Sequence, residues 1–311
     1  GKAFANGIAD GLRSRQLLED GSAVTVYCTP RRLAAHISQV RSIAPDQPFS
    51  EKLMPVSVGL KDGQPTPALL KKLAAKQLSH VDPAKLEKEH DGKTEQLVYR
   101  DIAKGVSLSG GLQSALDEAL IKLPIPKVMS YQLADGTTTV HFVRPAHGLI
   151  ALHGKDIVQI GVLGLKAGRI TQGHRFQGAR DIEIATADAY EEALAAHGKL
   201  IAGFAQRRAD IFAQLQKHAA GLNSTLGAAA DYEPLLDEVT ALVEMPTIYV
   251  GTFEAEFLAV PQECLVLTMR ANQKYFPLFD SAGKLTNLSV IRVGTPLMGS
   301  PRLTKNDCVF Y

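Results

Sequence analysis

Four short stretches concentrate the side chains able to hold an anion. "TPRRL" (29–33) offers Arg31 and Arg32, and "FVRPAHG" (142–148) offers Arg144. "KAGRITQGHRFQG" (166–178) offers Arg169, His174 and Arg175, and "MRANQKYF" (269–276) offers Arg270, Asn272, Gln273 and Lys274. A guanidinium grips phosphate through two parallel N–H bonds. Phe142, Phe176, Tyr275 and Phe276 stand beside these cations, and an aromatic face next to a cation suits an unpaired base. A plainer reading runs in parallel: arginines at strand ends satisfy carbonyls and carboxylates while the aromatics fill the core. Taken singly, each stretch favours that structural role over RNA contact, since basic and aromatic residues often neighbour one another in folded domains.

No self-sufficient catalytic signature accompanies these stretches. The chain has no Gly-x-Gly-x-x-Gly after a strand, no Walker-type Gly-Lys-Ser/Thr, no His-Glu-x-x-His and no Gly-x-Ser-x-Gly. "GVLGLKAGR" (161–169) carries three glycines, but its centre is apolar and no helix start follows, so it reads as strand–turn–strand. His141, His147, His153 and His174 lack the tight spacing and the supporting cysteines or glutamate of zinc sites. They are expected to be surface or hydrogen-bonded core residues. No catalytic and no metal-ligating residue is assigned.

Composition narrows the class further. The 311 residues carry a formal net charge of +2, 45% hydrophobic and 21% charged residues, the balance of an ordinary globular protein with room for one large or two medium domains. A charge so mild does not by itself indicate a nucleic-acid binder. Cys28, Cys264 and Cys308 are far apart and odd in number, which argues against a disulfide framework and for a reducing, cytoplasmic setting. No apolar run approaches the length of a membrane span. The opening "GKAFANGIADGL" has no signal-peptide layout and starts as though inside a helix, so earlier residues are expected to be missing.

The elements that must position the cationic stretches follow from periodicity. Apolar spacing predicts helices over 2–19, 111–123, 187–198, 202–222 and 232–246. Thr66-Pro67 opens another as N-cap and first helical residue. Strands are expected at 23–29, 33–40 and 94–103, and as short antiparallel pieces between about 137 and 185. The 41–65 region reads as a loop with one short strand. "PIPK" (124–127) breaks regular structure and makes a plausible joint. The expectation is an α+β fold with mixed or antiparallel sheets and a helical block, in two domains: 1–125, and 126–311 with the helical block at about 187–245.

Several longer motifs occur in order: "TPRRLA", "LPIPKVM", "FVRPAHGLIALHG", "GLKAGRITQGHRFQG", "LLDEVTALVEMP" and "FLAVPQECLVLTMRANQKYFPLFDSAGKL". Together they resemble the β subunit of the bacterial two-subunit glycyl-tRNA synthetase, from the opening helix to about Val293. The likeness departs at Val128, at Ser130-Tyr131 and at Gly148, where the family tends to carry a basic residue or Trp. "GTPLMGSPRLTKNDCVFY" (294–311) is shorter than its family counterpart, so chain gaps are expected near 294–301, and also near 45–55.

The resemblance implies a fragment of a glycine-tRNA ligase holoenzyme, non-catalytic on its own. The β subunit assists tRNA recognition and assembly, while the α subunit activates glycine with ATP and Mg. Implied partners are that α subunit, tRNA(Gly) and a second β copy, with no membrane. The ten cationic and amide residues named above become candidates for tRNA or subunit contact. A rival reading makes the segment a non-catalytic scaffold that docks subunits without touching tRNA.

Overall fold

The computed structural model describes residues 1–294 apart from 62, 91, 93, 126 and 144, with side chains described through 287. Arg144, one of the candidate contact residues, lies outside the described residues, as does the 295–311 tail. The architecture is α+β, with helices and several small antiparallel sheets.

Contacts divide the chain into two compact units. One comprises Gly1–Ser14, Leu18–Val40 and the chain from Ser109 onward; the other comprises Arg15–Leu17 and Arg41–Leu108. The chain therefore passes between units near residues 14–18, 40–41 and 108–109, whereas the sequence suggested a joint at 124–127. Strand pairing gives the reason for the second unit. Gln47–Pro55 and Glu87–His90 both pair antiparallel with Glu95–Ala103, so one excursion of chain closes on itself. The loop expected at 41–65 thus contains a nine-residue strand. Its prolines at both ends are tolerated because it is an edge strand, where a missing N–H faces no partner. Leu53, Leu69, Leu73 and Leu97 form the core of this unit. The Pro67–Ala75 helix starts as its sequence dictates, with the Thr66 hydroxyl accepting from the Leu69 N–H.

In the first unit the Lys2–Ser14 helix buries Ala5, Ile8, Ala9 and Leu12, one stripe of a 3.6-residue period. Val24–Thr29 and Arg32–Ile37 form a hairpin whose turn is only Pro30-Arg31. The antiparallel sheet expected between 137 and 185 is instead a series of separate two-stranded pairs, most with strands of two residues. Close-set glycines and turns leave no strand long enough to recruit a second neighbour. The helical block is present as Tyr190–Ala196, Phe204–Gly221 and Ala229–Leu242. The last two helices lay Ile211, Leu215, Leu236 and Val239 against Ile248, Phe276 and Leu278 of a three-stranded sheet. That sheet has Leu285–Gly294 between Thr247–Gly251 and Tyr275–Phe279. Each such side chain contributes about 1.5–3 kcal/mol by leaving water, which makes this interface an anchor for the elements around the site.

Candidate nucleic-acid interface

The hairpin turn decides what "TPRRL" does. A two-residue loop pairs Thr29 with Arg32 directly across the strands, which puts their side chains on one face, and leaves Arg31 exposed at the tip. Thr29 and Arg32 both reach Glu244, which follows the Ala229–Leu242 helix and is 5% exposed. The Thr29 hydroxyl donates to Glu244 Oε1 at 2.7 Å, and Arg32 Nη1 donates to the same oxygen. Arg32 Nη2 turns to the 172–173 backbone, donating to the carbonyls of Gln172 and Gly173. A buried carboxylate is thus neutralised by one guanidinium, whose second arm holds the next segment in place.

That segment is a tight loop. The Gly173 N–H donates to Ala179 O at 2.7 Å, His174 N–H to Gly198 O at 2.7 Å and Gly178 N–H to His174 O at 2.8 Å. Gly173, Gly178 and Gly198 pack backbone to backbone; a Cβ on Gly173 would lie 2.8 Å from the Cα of both others. Glycine is required there for close approach rather than for a special dihedral angle. His174 is buried within this arrangement. Its Nδ1 accepts from the Phe176 N–H at 3.4 Å, a bond that needs the nitrogen unprotonated. Burial pushes the His174 imidazole below its ordinary range, opposed by Glu244 and reinforced by Arg32 and Arg31. Arg175 and Phe176 project outward, with Phe176 59% exposed and the Arg175 guanidinium carbon 5.5 Å from its ring centroid. Among the described residues no carboxylate pairs with the guanidinium of Arg31 or Arg175.

Arg169 sits apart from that loop's tip. Its guanidinium donates to the carbonyls of Lys155 at 2.7 Å and Ala185 at 3.4 Å and stands 3.9 Å from Glu183.

"MRANQK" makes a different corner. The Gln262–Thr268 helix widens into a π turn over Met269–Gln273 and stops at Lys274, whose φ of 57° is left-handed. This turn aims Lys274 at the acidic face of the Ala229–Leu242 helix, with Nζ 2.9 Å from Glu238 Oε1. Arg270 Nη1 is 3.9 Å from Asp231 Oδ1, while its Nε and Nη2 are buried without a hydrogen-bond partner. Asn272 and Gln273 are exposed.

Of the nine candidates within the described residues, the structure brings Arg31, Arg32, His174 and Arg175 to one corner and Arg270, Asn272, Gln273 and Lys274 to another. The sequence reading missed Glu244 and Thr29, which organise the first corner. It also missed Arg207, fully buried and donating to the carbonyls of Ile201, Thr240 and Cys28 at 2.6, 3.1 and 2.8 Å. A signal for Arg207 existed: it lies on the four-residue stripe of Ile211, Leu215 and Ala219, so a helix period places it in the core. Glu244 carries no such mark. Among the described residues no group of three or more His, Cys, Asp and Glu side chains is placed to hold a metal ion. No helix among them is long and apolar enough to cross a membrane. An open cleft nearby is lined by Asp188, Glu191 and Glu192, the wrong charge for a phosphate.

Comparison with known proteins identifies the family. The model of the family described as glycyl-tRNA synthetase beta subunit matches residues 1–293. Proteins named glycine–tRNA ligase beta subunit are similar to the chain. The one from Dechloromonas aromatica (strain RCB) is 54% identical over 296 residues, covering 92% of this chain and 42% of the relative. That from Acidovorax ebreus (strain TPSY) is 55% identical over 290 residues, covering 92% and 40%. That from Thiobacillus denitrificans (strain ATCC 25259 / T1) is 55% identical over 293 residues, covering 94% and 41%. The chain therefore spans about two fifths of the length of these relatives. With the family's motifs running in register from the first helix to the last described strand, the chain belongs to the glycyl-tRNA synthetase beta subunit family.

Proposed function

We propose that this chain is the N-terminal portion of the β subunit of a two-subunit glycine-tRNA ligase, and that it assists tRNA recognition and assembly in the cytoplasm. The reaction joins glycine to tRNA(Gly) as ATP is converted to AMP and pyrophosphate. In this reading glycine activation, with ATP and Mg, belongs to the α subunit, and no residue here is catalytic. The family match over residues 1–293 carries the reading. Exposed Arg31, Arg175, Asn272 and Gln273 supply it with groups that reach solvent. Contacts of this kind go to the RNA backbone and position it without reading its sequence.

The rival role, a subunit-docking scaffold, is favoured at Arg270 and Lys274 by their carboxylate neighbours on the Ala229–Leu242 helix. The full-length β subunit, co-expressed with its α partner and photocrosslinked to tRNA(Gly), separates the two by peptide mass spectrometry. Crosslinks in 29–33 or 172–180 are expected. An assembled, charging-competent complex with no crosslink anywhere in residues 1–294 would leave only the scaffold role.

A further inference from the structure

The 172–180 loop combines two features that seldom occur together. Its backbone is held at four successive points by the Gly173, His174, Gly178 and Ala179 hydrogen bonds, the last from Ala179 N–H to His197 O at 3.1 Å. Arg32 ties it from the side through the Gln172 and Gly173 carbonyls. Yet its tip presents a phenylalanine that is more than half exposed. A mobile loop can fold an aromatic ring onto the nearest apolar surface; a loop fixed this firmly cannot. The backbone beneath the ring is therefore ordered in advance, which lowers the entropy lost on binding.

The chemistry around that ring selects the occupant. Arg175 lies over Phe176, placing a cation beside the aromatic face. Arg31 stands exposed at the tip of the hairpin whose neighbouring Arg32 holds the Gln172 and Gly173 carbonyls. Arg180 is exposed a few residues along, against the single carboxylate of Asp181 in the 172–181 run. Glu244, the carboxylate beneath, is already neutralised by Arg32. A flat ring flanked by unpaired guanidiniums matches a base flanked by phosphates. An apolar protein surface would leave those guanidiniums desolvated and unpaired, at a cost that disfavours it.

We propose that the 172–180 loop is a stacking platform for an unpaired nucleotide of the tRNA, with the Phe176 ring on the base and Arg175 and Arg31 on adjacent phosphates. His174 acts as a positioning residue that fixes the Phe176 backbone from beneath. This rests on the reading that the chain serves a tRNA-charging complex.

The test uses the assembled α–β holoenzyme and a tRNA(Gly) transcript, with affinity read by anisotropy across a salt series. Phe176→Ala weakens binding roughly tenfold, in keeping with the loss of one base–aromatic stack, and Phe176→Tyr restores it. Arg31→Ala with Arg175→Ala lowers the slope of log affinity against log salt by about 1.5–2. Assembly mass and unfolding midpoint stay at their wild-type values in each variant. Wild-type affinity and salt slope in both variants would overturn the platform, and so would a changed assembly mass with tRNA affinity intact, which assigns the loop to protein docking. If the unmodified holoenzyme neither binds nor charges tRNA(Gly), the proposed function fails first and the platform with it.

Discussion

The corner at 29–33 and 172–178 and the corner at 269–274 draw on the same residue types, yet they dispose of their charge in opposite ways. In the first, a single buried carboxylate, Glu244, takes Arg32 out of play and leaves Arg31 and Arg175 facing solvent. In the second, the acidic face of the Ala229–Leu242 helix stands opposite, with Glu238 at Lys274 and Asp231 at Arg270. A cationic sequence run thus becomes a candidate anion surface only where the tertiary structure withholds its acids. Arg270 shows a further contrast. Its buried Nε and Nη2 lack partners, whereas Arg32 leaves its buried Nε without one but engages both terminal nitrogens with Glu244 and the 172–173 carbonyls.

The largest expected effect tests the Glu244 lock. Arg32→Met strands a buried carboxylate and should destabilise the fold by about 3–5 kcal/mol in urea unfolding, much of it recovered when Glu244→Met is added. A loss below about 1 kcal/mol would mean that the first corner is no better locked than a surface ion pair. Next comes Gly178→Ala, whose Cβ would collide with the Gly198 carbonyl and the His174 N–H. About 1–3 kcal/mol is expected, together with faster hydrogen exchange at His174 and Gly178. Unchanged exchange would show the loop to be looser than its packing indicates.

A pH series sharpens the comparison at His174. Because its folded value lies below the ordinary 6.5, the unfolded chain binds the proton first. Stability is full above about pH 6.5 and falls as pH drops through that value toward the lower folded one. His174→Gln should flatten this part of the profile. The carboxylate of Glu244 and the guanidiniums of Arg32 and Arg31 are the charged groups acting on it. The smallest effects belong to the second corner. Lys274→Ala should cost about 1 kcal/mol or less, since both partners of its ion pair are partly in water. Arg270→Met should be neutral or stabilising in the same assay, because it removes two buried, unpaired nitrogens. A clear loss in either would show that corner to be held by its charges.

Sequence signals are legible where the physics is local. The Thr66-Pro67 start, the hairpin strand of 24–29 and the helices at 204–221 and 229–242 follow from capping chemistry and from apolar period. Gln47–Pro55 was not legible as a nine-residue strand, because its apolar residues, Phe49, Leu53 and Met54, do not alternate with period two and prolines stand near both ends; its pairing with Glu95–Ala103 makes it one. The 137–185 region is the reverse case. Its β-branched runs imply strands, but they do not reveal that each pair closes on itself.

The sequence by itself determined the family, the α+β class and which stretches carry cations, since motifs, periodicity and residue type are properties of the chain read in order. Which cations remain available was decided only by the tertiary structure. Glu244 lies 212 residues from Arg32, and no local pattern connects them. Electrostatic pairing depends on distance in space and on the water removed between the charges, and folding alone sets both.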